Sequence, residues 1–353
     1  MKRSNLLWLV LLCVVAISSF VFMMWAPKKG TAATLSSQDT TVNPAKGDTE
    51  PEKKEVVPVT MDTAAYNQRM AKITNGDSSG RWPVKTPYPL AGAILPFKRV
   101  IAYYGNLYSK NMGILGELPE KEMTDKLMGE VKKWETADPE TPVQPALHYI
   151  AVTAQQSPGA GGKYRLRMPF AQIDKVMAMA AKIDAIVFLD IQVGLSNLES
   201  EVPQLEQYLK LPNVHLGIDP EFSMKTGHAP GKVVGTFDAA DINYTINYLA
   251  KLVKDNNLPP KILVVHRFTG PMVTNSNQIK PQAEVQVVMH MDGWGEAERK
   301  IGTYKRFIYP QPVQFTGFKM FYKNDTKKVN RAEVMQPEAL LKLKPQPMYI
   351  QYQ

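Results

Sequence analysis

Asp219 and Glu221 stand one residue apart in the stretch GIDPEF (217–222), at the end of an apolar run that begins with Val214. Two carboxyls in one site can do acid/base work when their surroundings protonate one and leave another ionised. Similar acids close two other apolar runs. Asp190 and Gln192 follow Val187 and Leu189, and Asp292 follows Val287 and Met289. Near the ends of further runs lie Tyr103 and Tyr104, His266 and Arg267, Trp294, Lys319 and Phe321, and Gln351. A mixture of acids, bases, amides and aromatics suits a polar, ring-shaped ligand such as a sugar.

The elements that must position these residues alternate regularly. Strand-like runs occupy 99–105, 146–154, 185–194, 214–222, 261–268, 285–293, 313–322 and 348–353. Helix-like segments separate them, near 119–135, 169–183, 198–210, 238–255, 274–281, 295–308 and 331–343. Eight strands with seven intervening helices predict a (β/α)8 barrel of the TIM type over residues 99–353. A doubly wound open sheet uses the same alternation and is the competing topology.

Strand parity then aims the side chains. With Val214, Leu216 and Ile218 facing the helices, His215, Gly217, Asp219 and Glu221 face the barrel interior. The same rule sends Asp190 and Gln192 inward from the third strand, and Gln286, His290 and Asp292 inward from the sixth. Three strands thereby deliver acids to the end where barrel enzymes hold their active sites.

Ahead of the barrel, Leu6 to Trp25 forms an uncharged apolar run of 20 residues behind Lys2 and Arg3. It is long enough to cross a bilayer. Residues 1–27 are therefore expected to be an uncleaved transmembrane anchor that leaves the rest on the extracytoplasmic side, or a signal whose cleavage would release a secreted protein. Residues 28–60, rich in Thr, Ser, Pro, Lys and Glu, read as a disordered linker. Residues 61–98 read as an amphipathic helix at 62–74 and an irregular proline-rich segment, both packed on the barrel. Because the chain stops at the eighth strand, that helix is expected to cover the outer wall where an eighth helix would lie.

The formal charge is +9, but the basic residues are scattered, so no nucleic-acid partner is expected. The single cysteine, Cys13, excludes a disulfide framework and a cysteine metal site.

For glycoside hydrolysis, Glu221 would be the general acid, Asp292 or Asp190 its partner, and Asp219 would raise the acid's pKa by repulsion. Tyr103, Tyr104, Gln192, His266, Arg267, Trp294, Lys319 and Gln351 would bind substrate. In the contrasting reading Arg267, Lys319 and His266 neutralise the four acids, and the barrel binds glycan or peptide without turnover. Asp190, Asp219, Glu221, His266 and Asp292 are hard ligands available to a metal, yet no HxH pair ends the first strand and no HExxH helix exists. No metal and no cofactor is expected. His290 reads as a core residue, His148 and His215 as structural residues near strand starts, and the loops 155–168 and 223–237 as lids over the mouth.

The strings YYGN (103–106), MGILGELP (112–119), GIDPEF (217–222), DAADINY (238–244), VVHRFT (264–269), MDG (291–293), QFTGFKMFYKND (314–325) and MYIQYQ (348–353) together resemble an uncharacterised group of exported bacterial proteins, many of them lipoproteins. The resemblance runs from about residue 95 to the end and implies export of a barrel domain without assigning an activity. Cys13 lies too deep in its apolar run to match a lipoprotein acceptor. The acidic end of the fourth strand is remotely similar to TIM-barrel glycoside hydrolases, although the longer acidic signature of the chitinase type is missing. The expected function is a membrane-tethered, carbohydrate-active hydrolase of the cell envelope, acting on a polysaccharide or another polar ligand.

Overall fold

A computed structural model describes residues 60–327 and 333–353. The expected anchor (1–27) and the linker as far as residue 59 lie outside the described residues. Among the described residues, no helix is long and apolar enough to cross a membrane.

Eight parallel strands close into a ring. They are β1 Arg99–Gly105, β2 Val143–Ala154, β3 Ile186–Ile191, β4 Val214–Ile218, β5 Lys261–Arg267, β6 Val285–Met291, β7 Phe315–Met320 and β8 Tyr349–Tyr352. Each pairs with its neighbour in sequence, and β1 pairs with both β8 and β2, so Ala102 has Gln351 on one side and Ala146 on the other. That closure makes the fold a TIM-type barrel and excludes the open sheet. Strands covered on both faces need apolar residues throughout, which is why IVFLDI and KILVVHR read as continuous runs.

The main helices are α1 Thr63–Thr74, α2 Glu120–Ala137, α3 Phe170–Ala181, α4 Ala239–Asp255 and α5 Ala297–Thr303. A capping box starts α4: Asp238 accepts from Ala240 N at 3.0 Å, and Asp241 accepts from Asp238 N at 2.6 Å. Three expected helices are shorter. Pro203, which has no N–H to donate, accompanies a break of 198–210 into Leu198–Glu201, a 3-10 turn Val202–Leu205 and Glu206–Leu209. Segment 274–281 holds only a 3-10 turn, Ser276–Gln278, and the last segment is reduced to Pro337–Leu340 among the described residues.

The position of α1 differs from expectation. Tyr66, Met70 and Ile73 cluster with Val100, Ala102, Phe188, Val264 and Tyr349, residues of the barrel interior. The helix plugs the floor, at the amino-terminal ends of the strands, and does not cover the outer wall. Leu95 completes the plug, donating its N–H to Gln286 Oε1 at 3.1 Å and accepting from Gln286 Nε2 at 2.5 Å. The wall beside β8 is already filled, because Trp134 of α2 is fully buried there and donates to Tyr352 Oη at 3.0 Å. An apolar helical stripe goes where uncovered apolar surface remains, and each large side chain so buried stabilises by about 1.5–3 kcal/mol.

Candidate active site at the carboxyl ends of the strands

Parity holds on every strand that carries a candidate acid. Val187, Leu189 and Ile191 of β3, Val214, Leu216 and Ile218 of β4, and Val285, Val287, Met289 and Met291 of β6 all join the outer core beneath the helices. Asp190 and His290 therefore point inward, and Asp292 follows one residue past the end of β6.

Glu221 arrives differently from the strand extension expected for it. The fourth strand stops at Ile218, and Asp219 Oδ1 accepts from Glu221 N at 3.0 Å to cap a 3-10 turn, Pro220–Phe222. Proline suits the first position of that turn, where an N–H would have no partner. The Asp-Pro-Glu sequence is thus a capped turn that swings Glu221 over the mouth.

Beneath it lies a buried charge network. His266 Nδ1 is 2.8 Å from Asp292 Oδ2, and Lys319 Nζ is 2.9 Å from Asp292 Oδ1. On the other side of the His266 ring, Nε2 lies 3.4 Å from Asp190 Oδ1, and His148 Nε2 lies 3.3 Å from the same oxygen. Tyr104 Oη donates to Asp190 Oδ2 at 2.9 Å, while the Lys319 ammonium sits 4.0 Å from the centre of the Tyr104 ring. Gln192 Nε2 reaches Asp219 Oδ2 at 3.4 Å, and its Oε1 accepts from Ala154 N at 3.0 Å.

This arrangement separates the four acids into two kinds. Burial opposes ionisation of Asp190, but His266 and His148 overcome it and hold the carboxyl well below the usual range. Burial likewise opposes ionisation of Asp292, where Lys319 and then His266 prevail. Asp219 and Glu221 have no ion pair among the described residues. Burial pushes Asp219 well above the usual carboxylate range. Burial and then the charge of Asp292 push Glu221 up to about 7. Asp292 therefore supplies the repulsion that sequence reasoning assigned to Asp219.

The histidines divide in the same way. Burial opposes a charge on His266, yet Asp190 and Asp292 lift it to about 10, whereas burial lowers His148 to about 4. His290 is held well below its ordinary value by burial and by the charge of His266, and both its ring nitrogens lack hydrogen-bond partners. His215 accepts from Ile262 N at 3.0 Å, a structural contact.

Above the network a cavity of about 570 Å3 opens, with Tyr104, Gln192, Asp219, Glu221, Asp292 and Lys319 in its lining. Its size falls within the roughly 300–1,000 Å3 of small-ligand sites. Phe222, Phe268, Phe307 and Phe321 supply apolar wall, and Trp294 on the rim is 48% exposed with the Arg299 guanidinium 5.1 Å from its ring. The expected lids at 155–168 and 223–237 contribute no lining residue.

Three residues expected in the mouth lie elsewhere. Tyr103 faces the outer core, with its hydroxyl 2.9 Å from that of Tyr322. Arg267 also points outward, because His266 takes the inward face. It donates to Thr269 O at 3.1 Å and Gly270 O at 2.8 Å, holding the loop after β5, and among the described residues it caps no acid. Gln351 is fully buried, does not line the cavity, and donates to Tyr349 Oη at 2.9 Å.

One residue set aside as structural, His148, belongs to the network. The second strand begins at Val143, three residues before the expected start at Ala146, so His148 sits in mid-strand and strand tilt carries it level with Asp190. Its Nε2, Asp190 and His266 bring donor atoms within 4.8 Å of one another, the spacing of a metal-binding cluster. That set differs from the five hard ligands considered from sequence: Asp219, Glu221 and Asp292 are outside it. Asn111 and Met112 reach the cavity from the loop after β1, where no periodicity announced them, and Arg299 reaches it from α5.

Comparison with protein-family models and with curated proteins gives no match. The fold and the site themselves define the class: a TIM-type barrel with a carboxylate-bearing, aromatic-rimmed cavity at the carboxyl ends of its strands.

Proposed function

We propose that this chain is a carbohydrate-active hydrolase, with Glu221 as general acid and Asp292 as the ionised carboxylate that supports the developing positive charge. The observation that carries the reading is the contrast between the two groups in one cavity. Glu221 has no ion pair among the described residues and holds its proton to about pH 7, while Asp292 is fixed in its charged form by Lys319 and His266. Protonation of a glycosidic oxygen needs the first, and an oxocarbenium-like transition state is stabilised by the second. Aromatic walls beside polar floor groups suit the two faces of a sugar ring. The apolar run Leu6–Trp25 supports placing the domain outside the cytoplasm, facing the envelope polysaccharides.

A second reading, a non-catalytic glycan-binding barrel, is favoured by one feature: both oxygens of Asp292 are already engaged. One experiment separates the two. The purified protein is incubated with fragmented envelope polysaccharides, and new reducing ends are measured beside equilibrium binding. Release of reducing ends by the wild type, lost in Glu221→Gln with binding kept, supports hydrolysis. Binding without release by the wild type identifies the binding module.

A further inference from the structure

Below the cavity floor, three side-chain atoms face one another without hydrogen-bond partners: His148 Nε2, Asp190 Oδ1 and His266 Nε2. All three residues have no exposed surface. These atoms meet one another at ion-pair distance but form no hydrogen bond of normal geometry among the described residues, and three such buried atoms turned toward one another call for an explanation.

The far side of each residue is anchored. His266 Nδ1 is held by Asp292 at 2.8 Å, His148 Nδ1 by the hydroxyl of Tyr349, and Asp190 Oδ2 by Tyr104 Oη at 2.9 Å. Outer partners of this kind fix ring orientation and tautomer in metal-ligating histidines. The two edges from Asp190 Oδ1, 3.3 Å to His148 and 3.4 Å to His266, also fit. A tetrahedral ion with bonds of about 2.0–2.1 Å separates its ligand atoms by roughly 3.3–3.4 Å.

Gly217 on the adjoining strand leaves the flank of this cluster free of a side chain: a methyl carbon there would stand 2.4 Å from both Asp190 Oδ1 and His148 Nε2, too close for carbon. A metal ion would take the place of the proton on His266; with both imidazoles then neutral, Asp190 and Asp292 against Lys319 leave a net negative charge that balances part of the cation's own.

We propose that His148, Asp190 and His266 bind one divalent first-row transition-metal ion of the zinc class. Two imidazoles and one carboxylate suit that group better than calcium or magnesium, which prefer all-oxygen shells. The proposal does not rest on hydrolysis, and its readouts are independent of turnover.

The test uses untagged full-length protein in mild detergent, stripped with a chelator and titrated with Zn2+ or Co2+. One equivalent is expected per chain, with the intense visible bands of cobalt in a low-symmetry nitrogen and oxygen shell. Asp190→Asn and His148→Gln should each weaken Zn2+ binding by more than about 100-fold, beyond the 10–100-fold typical of second-shell changes. Equal binding by wild type and both variants would mean surface binding only and overturn the site. Should the variants fail to fold, the wild-type cobalt spectrum decides alone: a weak, aqueous-like spectrum overturns the proposal, and it would leave His266 as a charged bridge between two aspartates.

Discussion

Lys319 Nζ lies 2.9 Å from Asp292 Oδ1, and the two residues are only 3% and 7% exposed. Removing one partner of a buried pair costs about 3–5 kcal/mol when the other charge is left uncompensated, whereas here His266 stays 2.8 Å from Asp292. Lys319→Met should therefore lower the unfolding free energy by at most that amount in urea titrations, and adding Asp292→Asn should recover part of it. The same cation pulls the Glu221 pKa down. Its loss should move the alkaline limb of the pH–rate profile to higher pH, and an unmoved limb would show that another group sets it.

Glu221→Gln removes the proton donor while keeping shape. Turnover should fall by roughly 10²–10⁴-fold, the usual worth of a positioned general acid. In the wild type the rate should decline as pH rises through about 7, because the acid form is the active one. The stability sign follows from the same shift. The folded-state pKa of about 7 exceeds the ordinary glutamate value of 4.5, so the contribution of this carboxyl is complete below pH 4.5 and lost as pH rises to 7. Above that range Glu221→Gln should gain on the order of 3 kcal/mol of stability over the wild type, relative to their difference in acid. Parallel stability curves for the two proteins would contradict a raised pKa.

Much of this site was legible because a strand has a period of two. Val187, Leu189 and Ile191 demand cover, and that demand alone turns Asp190 inward. The strand lengths were less legible, and they decide height within the barrel. Starting β2 at Ala146 put His148 near the floor, whereas the true start at Val143 makes it a neighbour of Asp190. Parity also had to choose between His266 and Arg267, since adjacent residues cannot both point inward. The turn at Pro220–Phe222 and the floor position of α1 depend on surfaces formed only when the ring closes, which no local pattern encodes.

Among the described residues, Trp294 offers the one largely exposed aromatic side chain in the cavity lining. Stacking on a sugar ring uses that face, and aromatic contacts of this kind are worth about 0.5–1.5 kcal/mol beyond the buried area. Trp294→Ala should therefore weaken binding of an oligosaccharide by roughly 10-fold. Because the side chain is 48% exposed, the melting temperature should stay put. A binding isotherm unchanged by the substitution would remove Trp294 from the ligand surface.

Met70 on α1 is 3% exposed and packs into the barrel floor, at the end opposite the cavity. Truncation there removes transfer free energy and leaves a void between the plug and the inward residues of the strands, so Met70→Ala should cost about 2–5 kcal/mol. Met70→Leu conserves volume and should cost less than about 1.5 kcal/mol. Both variants should bind ligand as the wild type does at temperatures where they remain folded, since α1 contributes no cavity residue. The comparison that matters is urea unfolding of the pair: if Met70→Ala loses no more stability than Met70→Leu, α1 rests on the floor without closing it, and the barrel interior is held by its own side chains.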